Sequence, residues 1–126
     1  MGRQSFDRAT RLASTIKKEL GEMINGRQLR ELKDPRLAGL ISVTEVRVTN
    51  GYQHMDVFLS IFEEEHQQDV LAVCKEASSA IRGEICRRFH LRTAPTLVFH
   101  LDESIKRGFE VFSLLDKIQD NVQEEV

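Results

Sequence analysis

The side chains of this sequence best suited to nucleophilic, acid–base or metal chemistry are four histidines and two cysteines. Neither set is spaced for it. His54, His66, His90 and His100 show no metal-ligand spacing with one another or with Cys74 and Cys86. His54 and His100 fall in extended segments and read as surface or hydrogen-bonded histidines. Glu63-Glu64-Glu65-His66 offers carboxylates to a cation, but reads first as a solvated loop. Cys86 precedes Arg87 and Arg88, which favour a thiolate, yet no partner base is evident. No nucleophile elbow, phosphate-binding loop or dinucleotide fingerprint occurs. The expectation is therefore a binding protein and not an enzyme, with no catalytic residue, no metal and no cofactor.

The remaining chemistry is neutralisation of an anion. Arg8, Arg11 and Lys18 share the face of a predicted first helix opposite its apolar stripe, with Thr15 between them and Glu19 and Glu22 partly offsetting their charge. Further on, Lys75, Arg82 and Arg87 flank a strip of small residues, Ala72, Ser79, Gly83 and Cys86, and Arg88 and Arg92 extend the charge. Small residues let a phosphate backbone approach, and the flanking cations neutralise it. Two plainer readings stand beside this one: a solvated amphipathic face for the first cluster, and small residues that merely tolerate a bend for the second. Few aromatics are placed to stack on bases, so any RNA contact should be to backbone and shape.

These residues sit in a chain of 126, about one ordinary domain, able to bury a core without disulfide or metal. With 18 basic and 20 acidic residues the net charge is -2, which excludes a polybasic tail protein but not a nucleic-acid binder. The charge is segmented. Residues 1–36 carry nine basic and five acidic side chains, 37–70 one and six, 71–92 five and two, and 93–126 three and seven. No run approaches the roughly 18 apolar residues of a membrane helix. The start lacks a signal-peptide core, and Phe6 stands where a myristoylation motif wants Ser or Thr. Cys74 and Cys86 lie twelve residues apart in one helical region, about 18 Å of helix, far beyond the roughly 7 Å reach of a disulfide. They read as reduced thiols, and the expected location is cytoplasmic.

The elements follow from periodicity. Phe6, Ala9, Leu12, Ala13, Ile16, Leu20, Met23 and Ile24 make one helical stripe, with Ser5 as a candidate N-cap and Gly26 as a stop. A short helical turn around Leu29 and Leu32 ends at Lys33-Asp34-Pro35-Arg36, where Asp34 caps and Pro35 fixes a turn. A hairpin spans Ile41–Val48 and Tyr52–Phe62. Asn50-Gly51 as a two-residue turn sets Val46 opposite Met55, Thr44 opposite Val57 and Ser42 opposite Leu59. Val46, Val48, Met55, Val57, Leu59 and Ile61 then form the core face. The other face carries Glu45, Arg47, His54 and Asp56, but also Ile41, Val43, Phe58 and Phe62, too apolar for free solvent.

Asp69 is the candidate cap of a helical stretch from Val70 to about Phe89 with the core stripe Leu71, Cys74, Ala77, Ser78, Ile81 and Ile85. A straight rod would put Arg88 on the core side, where an unpaired charge is too costly. A kink is expected before it, at Gly83 or within Ala77-Ser78-Ser79-Ala80. Thr96–Leu101 is a third strand with Leu97, Phe99 and Leu101 on one face. Ser104 caps a last helix through Ile105, Phe109, Phe112, Leu115 and Ile118, and the tail after Asp120 frays. The order gives an α+β sandwich, a three-stranded sheet with helices on one face.

Several separated pieces resemble the ribosome-binding factor A family: Arg8-Ala9-Thr10-Arg11-Leu12, Leu32-Lys33-Asp34-Pro35-Arg36-Leu37, Val43-Thr44-Glu45-Val46, Ala77-Ser78-Ser79-Ala80-Ile81-Arg82, Leu91-Arg92-Thr93-Ala94-Pro95-Thr96-Leu97-Val98-Phe99, and Asp102-Glu103-Ser104 before Gly108. The resemblance runs from Arg8 to about Ile118. It implies a type II KH-like αββααβ fold plus a C-terminal helix, as one RNA-binding domain over 1–120 with a short flexible tail, 121–126. It also implies a helix kink marked Ala-x-Gly in place of a Gly-x-x-G loop; here the place reads Ala77-Ser78-Ser79, with Ser79 where the glycine is expected. The implied function is non-catalytic binding of the 30S subunit through 16S rRNA during late maturation and rRNA precursor processing, by a chain that is a monomer when free. Carried over residue by residue, the RNA-binding surface is Arg8, Arg11, Lys18, Lys75, Ser79, Arg82, Arg87 and Arg92, with Arg82→Glu expected to weaken 30S binding without unfolding the domain. The competing reading is a protein-interaction or dimerisation module that uses Ile41, Val43, Phe58 and Phe62.

Overall fold

The computed structural model describes residues 2–49, 51 and 53–104, with the side chains of 2–7 and 9 excluded. Helix α1 spans Gly2–Asn25 and buries Ile16, Leu20, Met23 and Ile24, with Leu12 packed beside them. It begins three residues before Ser5, so Ser5 is not its cap; nothing in Arg3-Gln4 stops the helical ladder. It ends in a two-bond cap in which the Gln28 N–H donates to the Met23 carbonyl at 3.0 Å and the Arg27 N–H to that of Ile24 at 3.2 Å. Arg27, at φ +46°, takes the left-handed position. Gly26, one residue earlier, is needed for space, since a Cβ there would lie 2.7 Å from the Glu22 carbonyl oxygen.

A 3₁₀ turn at Arg30–Leu32 buries Leu32. The Asp34 carboxylate then accepts the Arg36 N–H at 2.9 Å, and the Asp34 carbonyl accepts that of Leu37 at 2.9 Å, as the Asp34-Pro35 pair predicts.

Strands β1 (Ile41–Thr49), β2 (His54–Ile61) and β3 (Thr96–Leu101) form one sheet in that order. The β1–β2 hairpin is antiparallel, but its register differs from a two-residue turn. Thr49 pairs with His54, so four residues, 50–53, make the loop, and Val46 faces Val57. Gly51 does take the expected left-handed conformation, at φ +59°. A slip of two residues preserves which side chains face which way. Met55, Val57, Leu59 and Ile61 are accordingly buried and Val46 with them, as the alternation requires.

A bulge between Val43 and Glu45 changes the far end of the hairpin. Thr44 is the extra residue, and beyond it Val43 pairs with Leu59 and Ile41 with Ile61. That turns Ile41 and Val43 onto the core face: Ile41 is buried and Val43 packs against the core. Two of the four residues expected on the open face therefore leave it. Thr44 itself donates to Asp102 Oδ2 at 2.6 Å, tying β1 to the end of β3.

β3 runs parallel to β2, with Met55 beside Leu97 and Val57 beside Phe99. Parallel neighbours need a long crossover, supplied here by α2 (Gln67–Glu76) and α3 (Ser78–Arg88). A 3₁₀ turn at Glu64–His66 leads into α2, so Asp69 lies in the first turn and is not its cap. Val70, Val73, Cys74, Ala77, Ile81 and Ile85 face the sheet. Burial pushes the Cys74 thiol up to about 12, and the Cys86 thiol donates to the Leu91 carbonyl at 3.3 Å. The order α1-β1-β2-α2-α3-β3 is the expected αββααβ arrangement, with the core between the helices and one sheet face. The predicted helix from Ser104 to Ile118, the tail, and Asn50 and Tyr52 of the turn lie outside the described residues, apart from Ser104, whose N–H donates to Asp102 Oδ1 at 2.9 Å.

Candidate nucleic-acid interface

The chain breaks between α2 and α3 at one residue, Ala77, with φ −84° and ψ 0°. This is a conformation open to any L-residue, and no positive φ is used there. Ala77 keeps its place in the ladder: its N–H donates to Val73 at 2.8 Å and its carbonyl accepts from Ile81 at 3.0 Å. Within α3 that bond is the first, so Ser78, Ser79 and Ala80 supply the N-terminal N–H groups that a helix leaves without an intrahelical partner. The serine at position 79 does not abolish the kink, because the turn is made two residues earlier by a buried alanine. Gly83 lies inside α3 and makes no bend.

Lys75 and Ser79 stand exposed on either side of the break. Lys75 makes no ion pair among the described residues. A helix N-terminus with free N–H groups favours an anion, and Lys75 beside it adds a full positive charge.

The arginines of α3 behave differently. Arg82 turns inward: its Nε donates to the Pro95 carbonyl at 2.7 Å and a terminal nitrogen to that of Ala94 at 3.3 Å. It fastens α3 to the chain entering β3, and so carries Arg92 of the same loop to the side of α3. Arg87 is exposed but pairs with Glu84 at 2.6 Å. Arg88 is half-buried and held three ways: by Glu84 at 2.8 Å, by Glu19 of α1 at 2.7 Å, and by the Gln28 side-chain oxygen at 2.9 Å. Shared between Arg87 and Arg88, the Glu84 carboxyl is held below the usual carboxylate range. The break precedes Arg88 as expected, and its charge is compensated as well.

Arg92 is exposed, beside a depression of about 320 Å³ lined by Gly51, Gln53, Leu91, Arg92 and Thr93. On α1, Arg8, Arg11 and Lys18 are all exposed and form no ion pair among the described residues. Glu19, which looked in sequence like their counter-charge, is drawn to Arg88 instead. The structure thus brings Lys75, Ser79, Arg82, Arg87 and Arg92 along one helical pair and its return loop. The α1 cations form a separate stripe, and Arg88–Glu19 links the two helices.

Two networks were not legible in the sequence. Arg36 pairs with Asp34 at 2.8 Å and, forty residues away, with Glu76 at 2.5 Å, pinning the loop after α1 beside the break. On the open sheet face Phe58 lies between the Arg47 guanidinium, 4.8 Å from its ring centre, and the His100 ring, also 4.8 Å away. Both His54 and His100 reach Asp56 Oδ1, at 3.2 and 2.7 Å. The strand histidines are hydrogen-bonded, as their positions implied. The His100 contact, with His54 behind it, lowers the Asp56 carboxyl below its ordinary value. Among the described residues no group of three or more His, Cys, Asp or Glu is placed to hold a metal ion.

The family model described as ribosome-binding factor A matches residues 8–115. This chain belongs to the ribosome-binding factor A family. It is 41% identical over 120 residues to ribosome-binding factor A of Synechococcus sp. (strain CC9605), covering 93% of this chain and 82% of that protein. It is 37% identical over 115 residues to that of Clostridium tetani, covering 90% and 92%. The crystal structure of ribosome-binding factor A from Thermus thermophilus superposes with a TM-score of 0.61 at 27% identity, over 74% of this chain and 94% of that one. A Thermus thermophilus ribosome-binding factor A model fitted into a cryo-EM map of its 30S complex superposes with a TM-score of 0.58 at 26% identity, over 72% and 91%. No helix among the described residues is long and apolar enough to cross a membrane.

Proposed function

We propose that this chain is a non-catalytic assembly factor that binds the 30S subunit through 16S rRNA during late small-subunit maturation and precursor processing. On this reading it acts in the cytoplasm and is a monomer when free. Family membership and the relative fitted into a 30S map support the partner. The observation that carries the RNA reading is the break at Ala77, where α3 presents its first N–H groups between exposed Ser79 and an exposed Lys75 that no described carboxylate pairs with.

On this reading a phosphate sits at the α3 N-terminus, held by the N–H groups and the Ser79 hydroxyl, with Lys75 neutralising it. Arg92 receives the next stretch of backbone. Arg8, Arg11 and Lys18 contribute a second cationic stripe along α1, and Arg87 adds its charge once it turns from Glu84. Arg82 serves mainly as a positioning residue, because its guanidinium is occupied by the Ala94 and Pro95 carbonyls. Recognition is of backbone and shape, since Phe58 is covered by Arg47 and His100, Phe89 is half-buried, and the exposed Phe62 is followed by three glutamates that repel a phosphate backbone.

Sedimentation with purified 30S and 70S particles at two salt concentrations tests this. Retention on 30S that falls steeply as salt rises is the expected result, and salt-insensitive retention or equal retention on both particles contradicts it.

A further inference from the structure

The end of the sheet where β2 and β3 finish is chemically the opposite of the break. Leu40 is 65% exposed and Phe62 71% exposed, the two most exposed large apolar side chains among the described residues. They are adjacent, since the Phe62 N–H donates to the Leu40 carbonyl at 3.1 Å. The pair is held in place: Glu63 accepts the Leu40 N–H at 2.8 Å, and Gly39 takes φ +88° against the same carboxylate. Asp102 and Glu103 close the other side, where the Asp102 N–H donates to the Leu59 carbonyl at 2.7 Å. A depression of about 460 Å³ there is lined by Phe58, Leu101, Asp102, Glu103 and Ser104.

The surrounding charge is mostly acidic; Arg47, over the Phe58 ring and paired with Glu45 at 2.9 Å, is an exception. The segments that build this end, residues 37–46, 59–74 and 97–104, contain seven Asp or Glu and no Lys or Arg. An RNA backbone is repelled by such a surface. A second copy of the chain would bring the same acids, and two side chains cannot supply the roughly 800 Å² per partner that a stable protein interface buries. What remains complementary is a short cationic peptide segment with an apolar side chain among its lysines or arginines. A ribosomal particle offers essentially two chemistries, anionic RNA and basic protein.

We infer that Leu40 and Phe62, within their acidic rim, dock a basic, apolar-anchored segment of a small-subunit protein while the break at Ala77 holds RNA. This rests on the 30S reading above. The contact is weak alone and is effective because RNA binding sets a high local concentration.

The test uses the full chain with purified 30S particles and with protein-free 16S rRNA. Replacing Leu40→Ser and Phe62→Ser together should weaken 30S binding roughly five- to tenfold and leave binding to bare 16S rRNA unchanged. Both residues are exposed, so the fold should hold. A photo-crosslinking benzoylphenylalanine at position 62 should attach to a basic small-subunit protein on the particle. Unchanged 30S affinity in the double variant, equal loss on the particle and on bare rRNA, or a crosslink to rRNA, to a second copy or to the chain's own residues 105–126 overturns the inference and leaves the RNA reading intact. A wild-type chain that binds neither particle nor RNA overturns the RNA reading and this inference with it.

Discussion

Lys75 and Arg88 stand thirteen positions apart on two consecutive helices, both in the basic segment 71–92, and the structure gives them opposite tasks. Lys75 lies exposed beside the helix break with no carboxylate partner among the described residues. Arg88 is half-buried and satisfied by Glu84, Glu19 and Gln28. The lesson is that formal charge does not measure cations available to a ligand. A guanidinium whose donors are spent on internal acceptors contributes to the fold. An exposed ammonium beside open helix N–H groups costs little to hold and is free to meet a phosphate. Arg82 belongs with Arg88 in this division and Arg92 with Lys75.

The comparison breaks most visibly under charge reversal of the exposed set. Lys75→Glu with Arg92→Glu should lower 30S affinity by about 2–3 kcal/mol, or 30-fold and more, while urea unfolding stays within about 0.5 kcal/mol of the parent. If affinity holds, the break is not the RNA surface. The internal set should give the mirror image. Arg88→Met strands Glu19, leaves Glu84 to Arg87 alone, and should cost about 1–2 kcal/mol of folding stability, with 30S affinity per folded molecule near that of the parent. Arg82→Lys should cost about 1 kcal/mol by giving up the fork to Pro95 and Ala94. The same unfolding experiment checks it.

Acid sharpens the division. Glu84, Asp56 and Asp102 are held below their ordinary values of 4.5, 3.8 and 3.8 by their hydrogen-bond partners, Arg87 first for Glu84, His100 for Asp56 and Thr44 for Asp102. A lowered folded-state value means that each pair adds stability above the ordinary value, and that this stability is lost as pH falls through the lower one. Glu84→Gln should therefore flatten the acid limb of the stability curve below about pH 4.5. An unchanged limb would mean that the Glu84 pairs do not hold in solution. The smallest effect expected is from Ser79→Gly. The kink is made at Ala77, so circular dichroism and stability should change little.

Much of this was readable from residue order. The period of α1, the alternation of β2 and β3, and the need for a break before Arg88 follow from burying Ile16, Leu20, Val57, Leu59 and Ile81 on one face. The hairpin register was not readable, because a slip of two residues leaves the inward set the same. Nor was the bulge: Thr44 carries no signal that it will be the extra residue, yet it moves Ile41 and Val43 into the core and leaves Phe62, with Leu40, as the exposed apolar pair. For the interface, the cationic segment was legible but its division was not. Apart from Glu84, one helical turn from Arg88, the partners of Arg82 and Arg88 lie 12 to 69 residues away, a separation at which no periodicity speaks.

The central claim is that RNA is met by the exposed cations at the break and return loop and not by the arginines tied inside. The salt dependence of 16S rRNA binding tests it most directly. Neutralising Lys75→Gln and Arg92→Gln together should reduce the slope of log affinity against log salt by about 1.5, roughly 0.7 to 0.9 per phosphate contact, and Arg88→Met should leave it unaltered. A slope that falls with Arg88→Met and stays the same with the Lys75 and Arg92 pair would contradict the account.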